Sequence, residues 1–228
     1  GREMGGRGMS ARYPTRERRA GEVVLAVEGW NVWHPDHAER RVIKDASFTV
    51  RAGEVVGIAG LMGSGRTELA MSIFGRSWGR AISGRVTLHG QEVDLSSVDR
   101  AIDAGLAYVT EDRKHLGLVL EETIRFNTTL ANLGGVSARG VLNEARETEV
   151  AERYRKALAT RTPSVMQRVG NLSGGNQQKV VLAKWLFTDP DVLILDEPTR
   201  GIDVGAKYEI YSIINDLSAQ GKAVVMIS

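Results

Sequence analysis

The sequence predicts an α/β fold: a three-layer core around a mainly parallel sheet, with a mostly helical subdomain inserted between about Asp112 and Thr188. Three observations carry this. Apolar, strand-like runs alternate with helical patterns from about Glu22 onward. One run, Val55–Ala59, ends in a glycine cluster that opens a helix. Another, Val192–Leu195, is a continuous apolar run of the kind buried on both faces of a parallel sheet.

In chain order, Val23–Val27 and Ala46–Val50 read as strands, followed by the strand Val55–Ala59 and a helix over Thr67–Phe74. Gly84–Leu88 is a strand that runs into a polar turn at Gly90 and Gln91, and Leu106–Val109 is a short apolar strand. Asn143–Ala159, rich in Ala, Glu, Arg and Lys, reads as an amphipathic helix. Ser173 is a helix cap, and its helix runs to about Phe187. Asp203–Ala219 is a helix that places Val204, Tyr208, Tyr211, Ile214 and Leu217 on one face, and Ala223–Ile227 is a last strand. A sequence that stops on a core strand reads as a fragment of a longer polypeptide.

Composition narrows the function classes. At 228 residues with 42% hydrophobic and 25% charged, the chain can bury a core and is not disordered as a whole. It has no cysteine, which excludes a disulfide scaffold and a thiol nucleophile. Its apolar runs fall short of the ~18 residues that cross a bilayer, and the start lacks the apolar segment of a signal peptide. A cytoplasmic site of action is expected. The net charge of +2 is too small to argue for nucleic acid. The basic excess sits in residues 1–20, with six arginines against two glutamates, and reads as a solvated linker. The expected division is therefore a linker over residues 1–21 and one domain over residues 22–228.

Three motifs carry chemistry. The first is Gly60-Leu-Met-Gly63-Ser64-Gly65-Arg66-Thr67, a phosphate loop (P-loop) in which Arg66 replaces the usual Lys. Glycines let successive N–H groups face phosphate oxygens, the following helix adds its positive end, and the Thr67 hydroxyl can hold Mg²⁺. A guanidinium keeps the charge of Lys but not its compact shape. The second is the Val192–Leu195 strand ending in Asp196 and Glu197. With this strand beside the loop-bearing one, Asp196 reaches Mg²⁺ directly or through water. Glu197 stands where it can orient or deprotonate an attacking water. The third is Leu172-Ser173-Gly174-Gly175-Asn176-Gln177-Gln178-Lys179, a capped helix start with bare N–H groups that suit an anion. One nucleotide does not need two such sites, so this one is expected to serve a nucleotide held by a partner.

Together with Gly201-Ile-Asp203, these motifs stand in the order of the ATP-binding-cassette (ABC) ATPases, which the chain resembles over roughly Val23–Ser228. GLMGSGRTEL, Thr110–Lys114 (TEDRK), LSGGNQQK and LDEPTRGIDVGAK resemble most the second, C-terminal cassette of double-cassette ATPases that power bacterial monosaccharide importers of the ribose/galactose/xylose kind. The resemblance implies a P-loop NTPase core with an antiparallel β edge and an inserted helical signature subdomain. It implies ATP and Mg²⁺ as cofactors. Gly60, Gly63, Ser64, Gly65, Arg66 and Thr67 would bind phosphate, Thr67 and Asp196 the metal, and Glu197 would be catalytic. Ser173, Gly174, Gly175 and Gln177 would act across a dimer, and Asp203 would meet the other half. Trp33 is the candidate adenine-stacking aromatic, with Trp30 second. The implied partners are a first cassette of the same polypeptide, for which the leader would be the junction, transmembrane permease subunits and, indirectly, a periplasmic sugar-binding protein. No nucleic acid is expected. The place of work would be the cytoplasmic face of the bacterial inner membrane.

Two departures bear on what this half does. Glu111 is the nearest match to the usual metal-sensing Gln, and its charge repels triphosphate unless Mg²⁺ or Arg113 offsets it. With Arg66 and Glu111, the half's own ATP site reads as degenerate, whereas its signature is intact. The alternative is a non-hydrolytic module that holds ATP only to stabilise a dimer. His34 and His37 form an H-x-x-H pair without a third ligand, and Trp78 and Trp185 read as packing residues.

Overall fold

The computed structural model describes residues 21–61 and 63–228. Residues 1–20, nearly all of the expected linker, lie outside that range. The elements run β1 (Val23–Trp33), β2 (Arg41–Arg51), β3 (Val55–Ile58), α1 (Arg66–Ile73), β4 (Arg80–Leu88), β5 (Gln91–Glu92), α2 (Val98–Ala104) and β6 (Leu106–Val109). Then come α3 (Ile124–Thr129), β7 (Ser137–Ala138), β8 (Val141–Leu142), α4 (Glu144–Ala157), α5 (Gly174–Leu186), β9 (Val192–Asp196), α6 (Val204–Ala219) and β10 (Ala223–Ile227).

β3, β10, β9 and β6 form a parallel sheet in that order. An antiparallel sheet, β2-β1-β4-β5, forms the predicted edge layer. Alternation along β9 splits the core in two, because successive side chains of a strand face opposite ways. Val192 and Ile194 pack with α1 and the antiparallel sheet. Leu193 and Leu195 pack with α5 and α6. The strand expected beside the loop-bearing strand is not its neighbour: β10 lies between β3 and β9. All four strands still end on one edge, so the glycine loop after β3 and the acids ending β9 meet above the end of β10.

β1 and β2 are longer than predicted. One of the register shifts of β1 against β2 falls between Val27 and Trp30, where Gly29 has φ 57°. The shift moves the buried side chains from Leu25 and Val27 to Trp30 and Val32. α2, capped by the Ser97 side chain on the Arg100 N–H, was not predicted. The Asp112–Thr188 stretch is mostly helical, with a small β7–β8 hairpin, but α5 also packs directly on the parallel sheet. The α6 face differs from the predicted one. Its buried stripe is Ile210, Ile214 and Leu217, whereas Val204 and Tyr208 are 74% and 50% exposed. The first turn of α6 lies against the start of α5 instead: a Cβ on Gly175 would come within 2.6 Å of the Ala206 Cβ.

Polar links fix α5 at both ends. The buried Lys179 Nζ donates to Glu209 Oε2 at 2.8 Å and to the Ala159 carbonyl at 3.1 Å. The hydrogen bond from Lys179 holds the Glu209 carboxyl below its ordinary value. At the other end, the Lys184 Nζ donates to the Gly117 carbonyl at 2.6 Å and lies 5.1 Å from the centre of the Trp185 ring. Burial pushes Lys184 down to about 8.

This lysine gives the fold a pH signature. Below about pH 8 the folded and unfolded chains both hold the proton, and the burial cost is present in full. Between about 8 and the ordinary 10.5 only the unfolded chain holds it, so stability rises with pH. Urea unfolding from pH 7.5 to 10.5 should show wild type gaining about 2–3 kcal/mol relative to Lys184→Met. Parallel curves for the two proteins would remove this account of Lys184.

Candidate active site

β3 delivers the glycine loop, and α1 leaves it. Gly63 and Gly65 have φ 79° and 85°, a backbone region that L side chains rarely adopt. Gly65 is also packed, since a Cβ there would lie 3.1 Å from Ile43 Cδ1. Gly65 forms the N-cap of α1 and offers no side-chain hydrogen bond to its first turn. The free N–H groups of that turn and the helix dipole favour an anion here.

Beneath the loop lies a buried carboxylate. Asp196 ends β9 with no exposure, and its Oδ2 accepts from Thr67 Oγ1 at 2.8 Å and from the Tyr108 hydroxyl at 2.8 Å. Asp196 Oδ1 is buried without a hydrogen-bond partner. Burial and the neighbouring Asp196 raise the Tyr108 phenol above its ordinary value, which keeps it a donor. Sequence reasoning missed Tyr108. The signal was a hydroxyl inside the apolar run Leu106–Val109, because a buried phenol needs a partner.

Glu197 follows with φ 45°. Its N–H donates to the Ile227 carbonyl at 2.9 Å, and its carbonyl accepts from the Arg200 N–H at 3.1 Å. A left-handed glutamate is strained by ~1–3 kcal/mol, and such strain concentrates at functional positions. Ser64, Gly65, Arg66, Thr67, Asp196 and Glu197 share a cleft of about 550 Å³ with Glu68, Glu111, Thr199, Arg200, Gly201 and Lys207.

Two cations in this cleft are committed elsewhere. The Arg66 guanidinium donates to the Ser228 carbonyl. Arg200 binds Glu111 Oε2 at 2.8 Å. Glu111, expected near the metal, is thus offset by Arg200 and not by Arg113. The buried Arg113 turns away: Nε donates to Gln177 Oε1 at 3.2 Å, and Nη1 to the Arg200 carbonyl at 3.4 Å.

Ser173, Gly174 and Gly175 stand elsewhere. Ser173 and Gly175 line a second cleft, about 270 Å³, with Arg161, Asn176, Asp203 and Ala206, and the two clefts share no lining residue. The Ser173 Oγ caps α5 by accepting from the Asn176 N–H at 3.4 Å. Gln177 does not face this cleft. It is 5% exposed, and its amide binds Arg113 and the Val169 carbonyl, so it braces the signature from inside.

Of the two tryptophans, Trp30 is a core residue: it is 3% exposed and its Nε1 donates to Ser72 Oγ at 2.9 Å. Trp33, beyond the Gly29 shift, is half-buried with the Arg41 guanidinium 5.9 Å from its ring centre. It is not among the residues lining the phosphate cleft. Trp78 and Trp185 pack against the core as predicted. His34 and His37 stack with ring centres 4.7 Å apart. Among the described residues no group of three or more His, Cys, Asp or Glu could hold a metal ion, so this pair gains no third ligand.

A fully buried carboxylate with one unpartnered oxygen costs stability unless a cation meets it. Without Mg²⁺, Asp196→Asn should raise the melting temperature, by roughly 2–4 °C per kcal/mol relieved. With Mg²⁺ and nucleotide, wild type should gain stability and the variant should not. Scanning calorimetry in the two buffers separates these outcomes.

Known proteins share this arrangement. A family model described as ABC transporter matches residues 43–200. The chain is 57% identical, over its whole length, to the L-arabinose transport ATP-binding protein AraG of Geobacillus stearothermophilus. It is 48% identical over 99% of its length to the xylose import ATP-binding protein XylG of Thermoanaerobacter pseudethanolicus. Over 99% of its length it is 46% identical to the ribose import ATP-binding protein RbsA of Clostridium perfringens. The chain spans only 43–44% of these relatives. A solved nucleotide-free ATP-binding cassette from an ABC transporter overlays with TM-score 0.75 at 21% identity, covering 91% of this chain and 81% of that one. The glycine loop, the buried aspartate and the family match converge: the chain belongs to the ABC transporter family, as an ATP-binding cassette domain.

Proposed function

We propose that this chain binds and hydrolyses ATP to drive uptake of a monosaccharide through membrane permease subunits, at the cytoplasmic face of a bacterial inner membrane. One observation carries the nucleotide reading. The unpartnered Asp196 Oδ1 lies under the glycine loop beside Thr67, a donor set of hard oxygens that fits Mg²⁺. The names of the relatives, which concern arabinose, xylose and ribose, support the sugar class. Their greater length is in keeping with a first cassette on the same polypeptide, with a periplasmic sugar-binding protein feeding the permease. No described helix is long and apolar enough to cross a membrane, in keeping with a peripheral subunit.

In this reading the N–H groups from Gly63 to Thr67 bind phosphate oxygens. Thr67 and Asp196 would hold Mg²⁺, which when bound would supply positive charge against the triphosphate. Tyr108 keeps Asp196 oriented. Glu197 orients a water toward the terminal phosphate and takes its proton, and Arg200 neutralises Glu111 at the same cleft. Ser173, Gly174 and Gly175 serve the nucleotide of the partner cassette.

The two composite sites would be unequal. Arg66 in place of the usual Lys weakens the site built on this chain's loop, and the intact signature completes the active one. The guanidinium of Arg66 where the loop usually carries a lysine favours a second reading, a module that holds ATP without hydrolysing it. In the complete transporter, Ser173→Arg should lower ATPase activity roughly 100-fold. Glu197→Gln in this half alone should lower it far less than the equivalent change in the other half. Wild-type turnover in the Ser173→Arg protein would overturn the assignment of the active site. Calorimetric titration of the chain with MgATP tests the shared premise, with micromolar binding expected.

A further inference from the structure

The charge of the phosphate cleft is unbalanced. Four acids line it, Glu68, Glu111, Asp196 and Glu197, against three cations, Arg66, Arg200 and Lys207. Arg66 donates to the Ser228 carbonyl, a neutral acceptor that leaves its charge in place, and Arg200 is paired with Glu111. Among the described residues lining the cleft, Lys207 is the cation with no hydrogen-bond or ion-pair partner. It is half-buried, and its backbone is fixed in the first turn of α6 by an N–H bond to the Asp203 carbonyl at 2.9 Å. It lines the cleft together with Glu197, Thr199–Gly201 and the glycine loop that opens α1.

With Glu111 paired to Arg200, three acids still face an entering triphosphate, and an unpaired cation in the same cleft lowers that repulsion. An ammonium is the compact, three-donor group that suits a phosphate oxygen, and the loop itself offers only a guanidinium. We infer that Lys207 contacts the terminal phosphate and supplies the ammonium that Arg66 does not. The inference rests on the ATP reading above. It makes Lys207 a binding residue that distinguishes the triphosphate from the diphosphate, with the loop and Thr67 holding the phosphates common to both.

The test is calorimetric titration of the full chain with MgATP and, separately, with MgADP, for wild type, Lys207→Ala, Lys207→Gln and Lys207→Arg. Loss of one charge-assisted hydrogen bond should weaken ATP binding roughly ten- to a hundredfold in the Ala and Gln variants. ADP binding should change little, and Lys207→Arg should recover part of the loss. An unchanged ratio of ATP to ADP affinity in variants that melt like wild type would overturn the inference and leave the ATP reading intact. Wild-type protein that binds neither nucleotide would overturn the ATP reading and the inference with it. Loss of a cooperative melt in both the Ala and Gln variants would make Lys207 a structural residue, which also overturns it.

Discussion

The carboxylate of Asp196 organises this molecule. Its Oδ2 takes one hydrogen bond from α1, through Thr67, and one from β6, through Tyr108, and so ties three elements whose residues lie 88 and 129 positions apart in sequence. A buried acid accepts such donors strongly, because the alternative is a charge without solvent. The rest of the catalytic edge is placed relative to it. Thr67 leaves the glycine loop on one side of it, and Glu197 follows as the next residue with φ 45°. The remaining oxygen is left without a protein partner.

Features set by local chemistry could be read from the sequence. The Ser173 cap is visible because its side chain accepts from an N–H three residues on. β9 is visible because a run of five buried residues leaves little alternative. The glycine loop is visible because its backbone geometry demands glycine. What could not be read depends on which distant elements meet. The insertion of β10 between β3 and β9 follows from strand order, which parallel strands do not encode in their own residues. The Glu111–Arg200 pair spans 89 positions. Composition showed the charges but not their pairing, and Arg113, closer in sequence, was the natural but incorrect partner.

The tryptophans show how one backbone detail decides a side chain's fate. Strict alternation from Leu25 would send odd-numbered residues inward and Trp33 with them. The irregularity at Gly29 shifts the inward set to even numbers, so Trp30 reaches Ser72 in the core and Trp33 does not enter it. α6 fails in a related way. Its residues were placed on one face by spacing alone, yet its first turn docks on α5 and only its later turns lie on the sheet, so the buried stripe starts at Ile210.

Arg113 holds the Gln177 amide inside the signature helix with one nitrogen and the Arg200 carbonyl beside the phosphate cleft with another. One buried side chain therefore links the signature helix to the wall of the phosphate cleft. Thermodynamic reciprocity then constrains any occupant of either one. Whatever docks on the signature and displaces Arg113 must alter affinity in the phosphate cleft by the same factor that the phosphate cleft's own occupant alters docking.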